Sequence, residues 1–237
     1  GTYEVFQVGN DGGNAVQISE DPPGERPEAK QGLSVSADGR TLVLTSARYF
    51  QSYTNVFTMP VEGGVPLAVT FNDGVIETSP TLSPDGQILA YFARMGQGTR
   101  IFIRDLNNPT DWPRALMPDQ PHGEQNPSFS PDGTMISFTR GGDIWVVPAS
   151  GGQPRRIIED AYAGGNGSAV WSPDGSRMAF TTGKSGFTQL GVVDVATGEV
   201  TPITLTAQEH SGASWAPDGR SLVFVRNTGL GMSQEVV

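Results

Sequence analysis

Alternating apolar positions recur five times along the chain: Leu42 and Leu44, Leu89 and Tyr91, Ile136 and Phe138, Met178 and Phe180, Leu222 and Phe224. A spacing of two is the period of a strand with one face in a core. One apolar residue stands upstream of each pair: Val35, Leu82, Phe129, Trp171 or Trp215. Between them lies a short polar phrase: Ser36-Ala37-Asp38-Gly39, Ser83-Pro84-Asp85-Gly86, Ser130-Pro131-Asp132-Gly133, Ser172-Pro173-Asp174-Gly175 and Ala216-Pro217-Asp218-Gly219. Asp-Gly between two strand-like runs predicts a hairpin, because glycine takes positive φ without a side-chain clash. Proline presets its own φ, and the serine hydroxyl caps the turn.

The aspartates are 47, 47, 42 and 44 residues apart. A period near 45 marks a stacked or circular repeat. Each copy continues past its hairpin. A third strand is predicted at Val56–Met59, Ile101–Ile103, Ile144–Val147 and Val192–Val193, and a fourth at Leu67–Val69, Arg114–Leu116, Arg156–Ile158 and Val200–Ile203. Turns such as Glu62-Gly63-Gly64 and Ser150-Gly151-Gly152 separate them. Four short antiparallel strands in a repeat of this length make a propeller blade. The strands are lettered a to d from the hub outward.

The expected fold is therefore all-β, a single β-propeller domain over residues 1–237 built of four-stranded antiparallel blades. Residues 4–8 and 16–18 read as strands c and d without a and b, whereas 213–226 read as a and b. Five blades follow if the N- and C-terminal strands share the last one, which removes two sheet edges. The alternative is a fragment of a six-bladed propeller, since Val236-Val237 falls where a further c strand begins.

Composition narrows the function classes. The 31 glycines and 18 prolines cluster at regularly spaced turns, and a net charge of −10 is poor electrostatics for nucleic acid. The chain holds no cysteine, so thiolate metal sites and disulfides are excluded. No apolar run reaches membrane-spanning length, so no membrane insertion is expected.

The pattern apolar-Ser-Pro-Asp-Gly, then an apolar-small-aromatic run, then Ile-x-Val and Gly-Gly resembles the TolB-like, WD40-like Pro-Asp repeat propellers. Phe129 to Phe138, followed by Asp143 to Val147 and Gly151-Gly152, carries it best. The resemblance implies a periplasmic or secreted protein that binds partner proteins of the cell envelope. Similar propellers also precede the α/β-hydrolase domains of prolyl-oligopeptidase-like and tricorn-like peptidases.

Strand directions alternate, so the a–b and c–d turns share one face and the d–a and b–c loops the other. The Asp-Gly residues lie on the turn face and are structural. Eight residues before each motif aspartate stand Lys30, Glu77, Glu124, Asn166 and His210, one polar residue per blade at the start of the innermost strand. Circular symmetry gathers them around the channel mouth. They form either a solvated rim with mutual hydrogen bonds or a ligand- or peptide-binding site. The b–c loops add Arg48, Arg94, Arg140, Lys184 and Arg226. These cations either pair with neighbours such as Glu77 and Glu124 or recognise an acidic partner. Tyr49, Phe50, Tyr53 and Phe187 join them on the loop face, and Tyr and Arg are enriched where proteins bind. Trp112, in the c–d connection on the opposite face, is expected to cap a core edge.

There is no Gly-x-Ser-x-Gly elbow, His-Glu-x-x-His or phosphate loop, and the histidines number two. The expectation is a non-catalytic module with no cofactor and no metal, binding a protein or peptide on the channel-mouth face. The alternative is the propeller of a peptidase. A third reading is a five-bladed glycosidase using Glu77 and Glu124 as acid and base.

Overall fold

The computed structural model describes residues 4–9, 11–21, 29–47, 53–72, 74–96, 98–108, 110–121, 123–159, 161, 169–183, 188–204, 210–227 and 234–236. Every regular element among them is a strand. The chain divides into two compact units, residues 1–127 and 128–237.

The first unit opens with a two-stranded sheet, β1 (Phe6–Gln7) and β2 (Val16–Gln17). Two four-stranded antiparallel sheets follow: β3 (Lys30–Val35), β4 (Thr41–Ser46), β5 (Asn55–Pro60) and β6 (Leu67–Ala68), then β7 (Ile76–Leu82), β8 (Ile88–Met95), β9 (Gly98–Asp105) and β10 (Arg114–Ala115). β4 is buried on both faces. Leu42 and Leu44 pack with Phe57 and Met59 against Val5 and Ile18, which flank the opening strands, while Val43 and Val56 pack against Leu82, Leu89 and Tyr91 of the next sheet.

The division between the units falls inside β11 (Gln125–Phe129), which pairs with β12 (Met135–Arg140), β13 (Asp143–Pro148) and β14 (Arg155–Ile158). In the second unit, β15 (Val170–Trp171), β16 (Arg177–Thr182), β17 (Gln189–Asp194) and β18 (Val200–Pro202) form the next four-stranded sheet. A three-stranded sheet follows, of β19 (His210–Trp215), β20 (Leu222–Asn227) and β21 (Gln234–Val236). Two of the apolar residues before the motif are tryptophans that tie each sheet to the one before. Trp171 donates its indole N–H to the Ser128 carbonyl at 3.2 Å, and Trp215 donates to Val170 at 3.0 Å.

One expectation is corrected here. The outer edge of β20 is taken by β21, with Val236 in register with Val225, and not by the N-terminal strands. A strand ten residues downstream closes a far shorter loop than one two hundred residues upstream, and closure entropy rises with loop length.

The motif turns form as the sequence requires. In the second copy the Ser83 N–H donates to the Ile88 carbonyl at 2.8 Å, and the Gly86 N–H to the Ser83 carbonyl at 2.8 Å, with Gly86 at φ 71°. Ser83 Oγ donates to Asp85 Oδ1 at 2.5 Å and accepts the Ile88 N–H at 2.8 Å, while Asp85 also takes the Gln87 N–H at 3.0 Å. The copies at Ser36, Ser130 and Ser172 repeat the serine–aspartate bond at 2.6 Å. The fifth keeps the backbone bonds, but Ala216 offers no hydroxyl.

Candidate functional site

Four of the described strands a buckle near their start. Six residues before the motif aspartate, Gly32, Ser79, Asn126 and Gly212 take φ of 62°, 48°, 51° and 64°. The register of β3, β7 and β19 on its neighbour slips at this point. Glycine does this at no steric cost; serine and asparagine are held there by their surroundings. Ser79 Oγ donates to Asn126 Oδ1 at 3.3 Å, linking the first strands of two successive sheets, β7 and β11.

Just before the buckle stand the expected rim residues, and they are turned inward. Lys30, Glu77 and Glu124 are 4%, 0% and 0% exposed. Lys30 Nζ donates to Glu4 Oε2 and Asp21 Oδ1, both at 2.8 Å. Glu77 accepts from the Thr70 hydroxyl, from Asn72 Nδ2 at 2.5 Å and from Asn55 Nδ2 at 3.5 Å. Glu124 accepts the Ile101 N–H at 3.0 Å. Asn166 lies outside the described residues, and so do Arg48, Tyr49, Phe50, Lys184 and Phe187; for His210 only the backbone is described, paired with Arg226.

These contacts have a common cause. Where strand d leaves strand c, two consecutive amides fall on one carbonyl: Val69 and Thr70 on Val56, Ile18 and Ser19 on Val5, Ile203 and Thr204 on Leu190. The bulge leaves the strand-c amide without a ladder partner, and a buried amide needs one. A hydroxyl fourteen residues on supplies it. Thr70 Oγ1 accepts the Val56 N–H at 2.8 Å, Ser19 Oγ the Val5 N–H at 3.0 Å, and Thr204 Oγ1 the Leu190 N–H at 2.9 Å. Each hydroxyl then donates its own proton, to Glu77, to Glu4 Oε2 at 2.6 Å or to Gln189 Oε1 at 3.1 Å. In the second four-stranded sheet Glu124 reaches the amide directly. The rim is thus a set of clamps. Their other members, Glu4, Ser19, Asn55, Thr70, Gln189 and Thr204, are absent from the sequence-derived set. The signal that finds them is the fourteen-residue spacing of an apolar residue and a hydroxyl.

Burial pushes the Glu77 carboxyl above its ordinary range, with the bonds from Thr70, Asn72 and Asn55 opposing. Tyr91 is pushed up strongly, first by burial and then by the Glu77 carboxylate beside it. Both proposed acid–base residues, Glu77 and Glu124, are closed to solvent and engaged inside the protein. That arrangement does not present a carboxyl to a glycosidic oxygen. Among the described residues no three carboxylates or imidazoles converge on a metal-sized site.

The loop cations divide. Arg140 lies half-buried over the rings of Phe138 and Trp145, at 5.2 and 5.3 Å, so two aromatic faces help to hold it. Arg226 is half-buried in β20. Arg94 is exposed at the end of β8, opposite Ile76, and Ile76 is bridged in turn to Thr54. Tyr53, Ile76 and Met95 on these adjoining segments are exposed as well. Trp112 does not cap a core edge: it is 80% exposed.

Comparison with known proteins places this arrangement. The model of the TolB beta propeller domain matches residues 78–236. A TolB homolog of Chlorobium luteolum is 27% identical over 168 residues, covering 69% of this chain and 36% of its own length. The uncharacterized peptidase YuxL of Bacillus subtilis is 24% identical over 200 residues, covering 63% and 29%. The chain thus spans well under half the length of these two curated relatives. The crystal structure of TolB from Acinetobacter baumannii superposes with a TM-score of 0.62 at 22% identity, over 86% of this chain and 48% of that one.

Proposed function

The chain belongs to the TolB β-propeller domain family, and on that premise we propose that it is a binding module of the cell envelope, without catalysis of its own, whose protein or peptide partner docks on the face of the d–a and b–c loops. The observation that carries this reading is the patch formed by Arg94, Ile76, Met95 and Tyr53. An exposed guanidinium beside exposed apolar and aromatic groups is the composition of an interface centre. Lys30, Glu77 and Glu124 serve this face by fixing its loops. Arg48, Tyr49, Asn166, Lys184, His210, Arg140 and Arg226 are the remaining contact candidates that the sequence offers.

The test compares Arg94→Ala with Arg140→Ala in capture from envelope extract. Arg94→Ala weakens recovery of the partner by roughly tenfold at unchanged melting temperature, and salt weakens it further because exposed charges are screened over about 8–10 Å. Arg140→Ala loses its aromatic contacts and melts earlier, with recovery intact once folded. Equal recovery of one partner by wild type and Arg94→Ala sinks the reading.

The similarity to YuxL favours a second reading, in which the propeller orients substrate for a peptidase. The native gene separates the two, since a hydrolase domain encoded after Val237 decides for the second.

A further inference from the structure

Away from the loop-face patch, the first unit holds a cleft of about 390 Å³ along the seam between the sheet β3–β6 and the sheet β7–β10. Two aromatic residues line it, Phe71 from the d–a connection and Trp112 from the c–d connection, and both are largely exposed. Leaving that much apolar surface in water is unfavourable by about 25 cal/mol per Å², and neither ring is needed by a core.

The same wall carries three planar polar groups, Asn72, Arg104 and Asp111. Each is held by a bond within the protein. Asn72 Nδ2 donates to Glu77 Oε1, Arg104 Nη1 donates to the Val69 carbonyl, and Asp111 Oδ2 accepts the Asp105 N–H at 3.1 Å. Anchored groups lose little freedom when a ligand binds. The side-chain oxygen of Asn72 and the second Asp111 oxygen remain as acceptors, and one arginine against one aspartate leaves the cleft lining without net charge.

We propose that this cleft is a binding site for a neutral sugar ring. A pyranose has an apolar C–H face that stacks on an exposed indole, and vicinal hydroxyls that pair with planar amide, carboxylate and guanidinium groups. A cation is disfavoured by Arg104 and an anionic sugar by Asp111. A proline-rich peptide uses aromatic walls, but proline has no N–H to donate to the Asn72 and Asp111 acceptors.

The test is saturation-transfer NMR and calorimetric titration with methyl α-glucoside, methyl β-galactoside, methyl α-mannoside and N-acetylglucosamine, with galacturonate as the charged control. At least one neutral sugar binds with a Kd of about 1 mM or below, and galacturonate binds more weakly than its neutral counterpart. Trp112→Ala weakens that binding by roughly tenfold or more, while Trp112→Phe retains most of it and both variants keep the wild-type melting temperature. The proposal is overturned if no sugar of the panel binds wild type at about 20 mM. It also falls if Trp112→Ala binds as wild type does, or if a proline-rich peptide occupies the cleft where the sugars do not.

Discussion

Glu77, at the start of β7, and Asp85, in the turn just past its end, are held in opposite electrostatic conditions. Asp85 lies on the turn face, in water, and its carboxyl is kept low by the Ser83 hydroxyl and then the Gln87 amide. Glu77 lies on the loop face, without solvent, and its carboxyl is kept high by burial despite three side-chain donors. The turn aspartate closes a network six residues long. The rim glutamate closes one that spans a strand, a bulge and the neighbouring sheet. Hydrogen bonding decides the first and desolvation the second.

The largest expected effect comes from emptying the rim. Glu77→Ala leaves Thr70, Asn72 and Asn55 donors without their acceptor in a dry site, which costs at least about 3 kcal/mol. Asp85→Ala, open to water, loses much less. Urea unfolding of the two variants reads the difference directly, and equal losses break the comparison.

Next in size is the turn backbone. Gly133 takes φ 73°, so Gly133→Val destabilises by roughly 1–3 kcal/mol. The unfolding midpoint measures it, and an unchanged midpoint shows that the turn tolerates another conformation.

The pH response sharpens the contrast further. Above the ordinary value of 4.5 and up to its raised folded value, Glu77 keeps in the folded chain a proton that the unfolded chain has released. Its contribution to stability therefore declines as pH rises through that window. The turn aspartates run the other way. Asp174 is held at about 2, chiefly by the Ser172 hydroxyl, against an ordinary 3.8. Stability from this group is full above 3.8 and is lost as pH falls toward 2. Glu77→Gln should remove the first slope and leave the second, as thermal melts from pH 2 to 7 will report.

The smallest effect is a gain. Ala216 stands where four other copies have serine, so Ala216→Ser should add roughly 0.5–1 kcal/mol by giving Asp218 a hydroxyl partner. Ser172→Ala should lose a similar amount.

The turn face was legible in the sequence to the residue. Asp-Gly between apolar runs leaves the backbone few conformations, and the serine's role follows from its distance to the aspartate. The loop face was legible only in part. Periodicity placed Lys30, Glu77 and Glu124 in equivalent positions, but polar character alone pointed to a wet rim. Their burial follows from bulges that strand an amide, and a bulge has no composition of its own. Ser79 and Asn126 show the same limit: only alignment with Gly32 and Gly212 betrays their left-handed backbone. Trp112 has the size and apolar character of a core residue, and nothing local says that the seam beside it stays open. The last sheet was read from strand phase, which cannot rank a near partner for β20 against a distant one.

The locality of the turn network bears on how such a chain was assembled. A segment whose polar groups are satisfied within six residues can be duplicated whole, because the copy brings every partner with it. The clamps cannot be inherited that way, since an acceptor taken from the following strand is lost or replaced whenever a new neighbour arrives. The chain carries the marks of both histories: a turn repeated four times almost unchanged, and a clamp whose terminal acceptor is a glutamate before strand c in one copy, a glutamate from the next strand in another and a glutamine in a third.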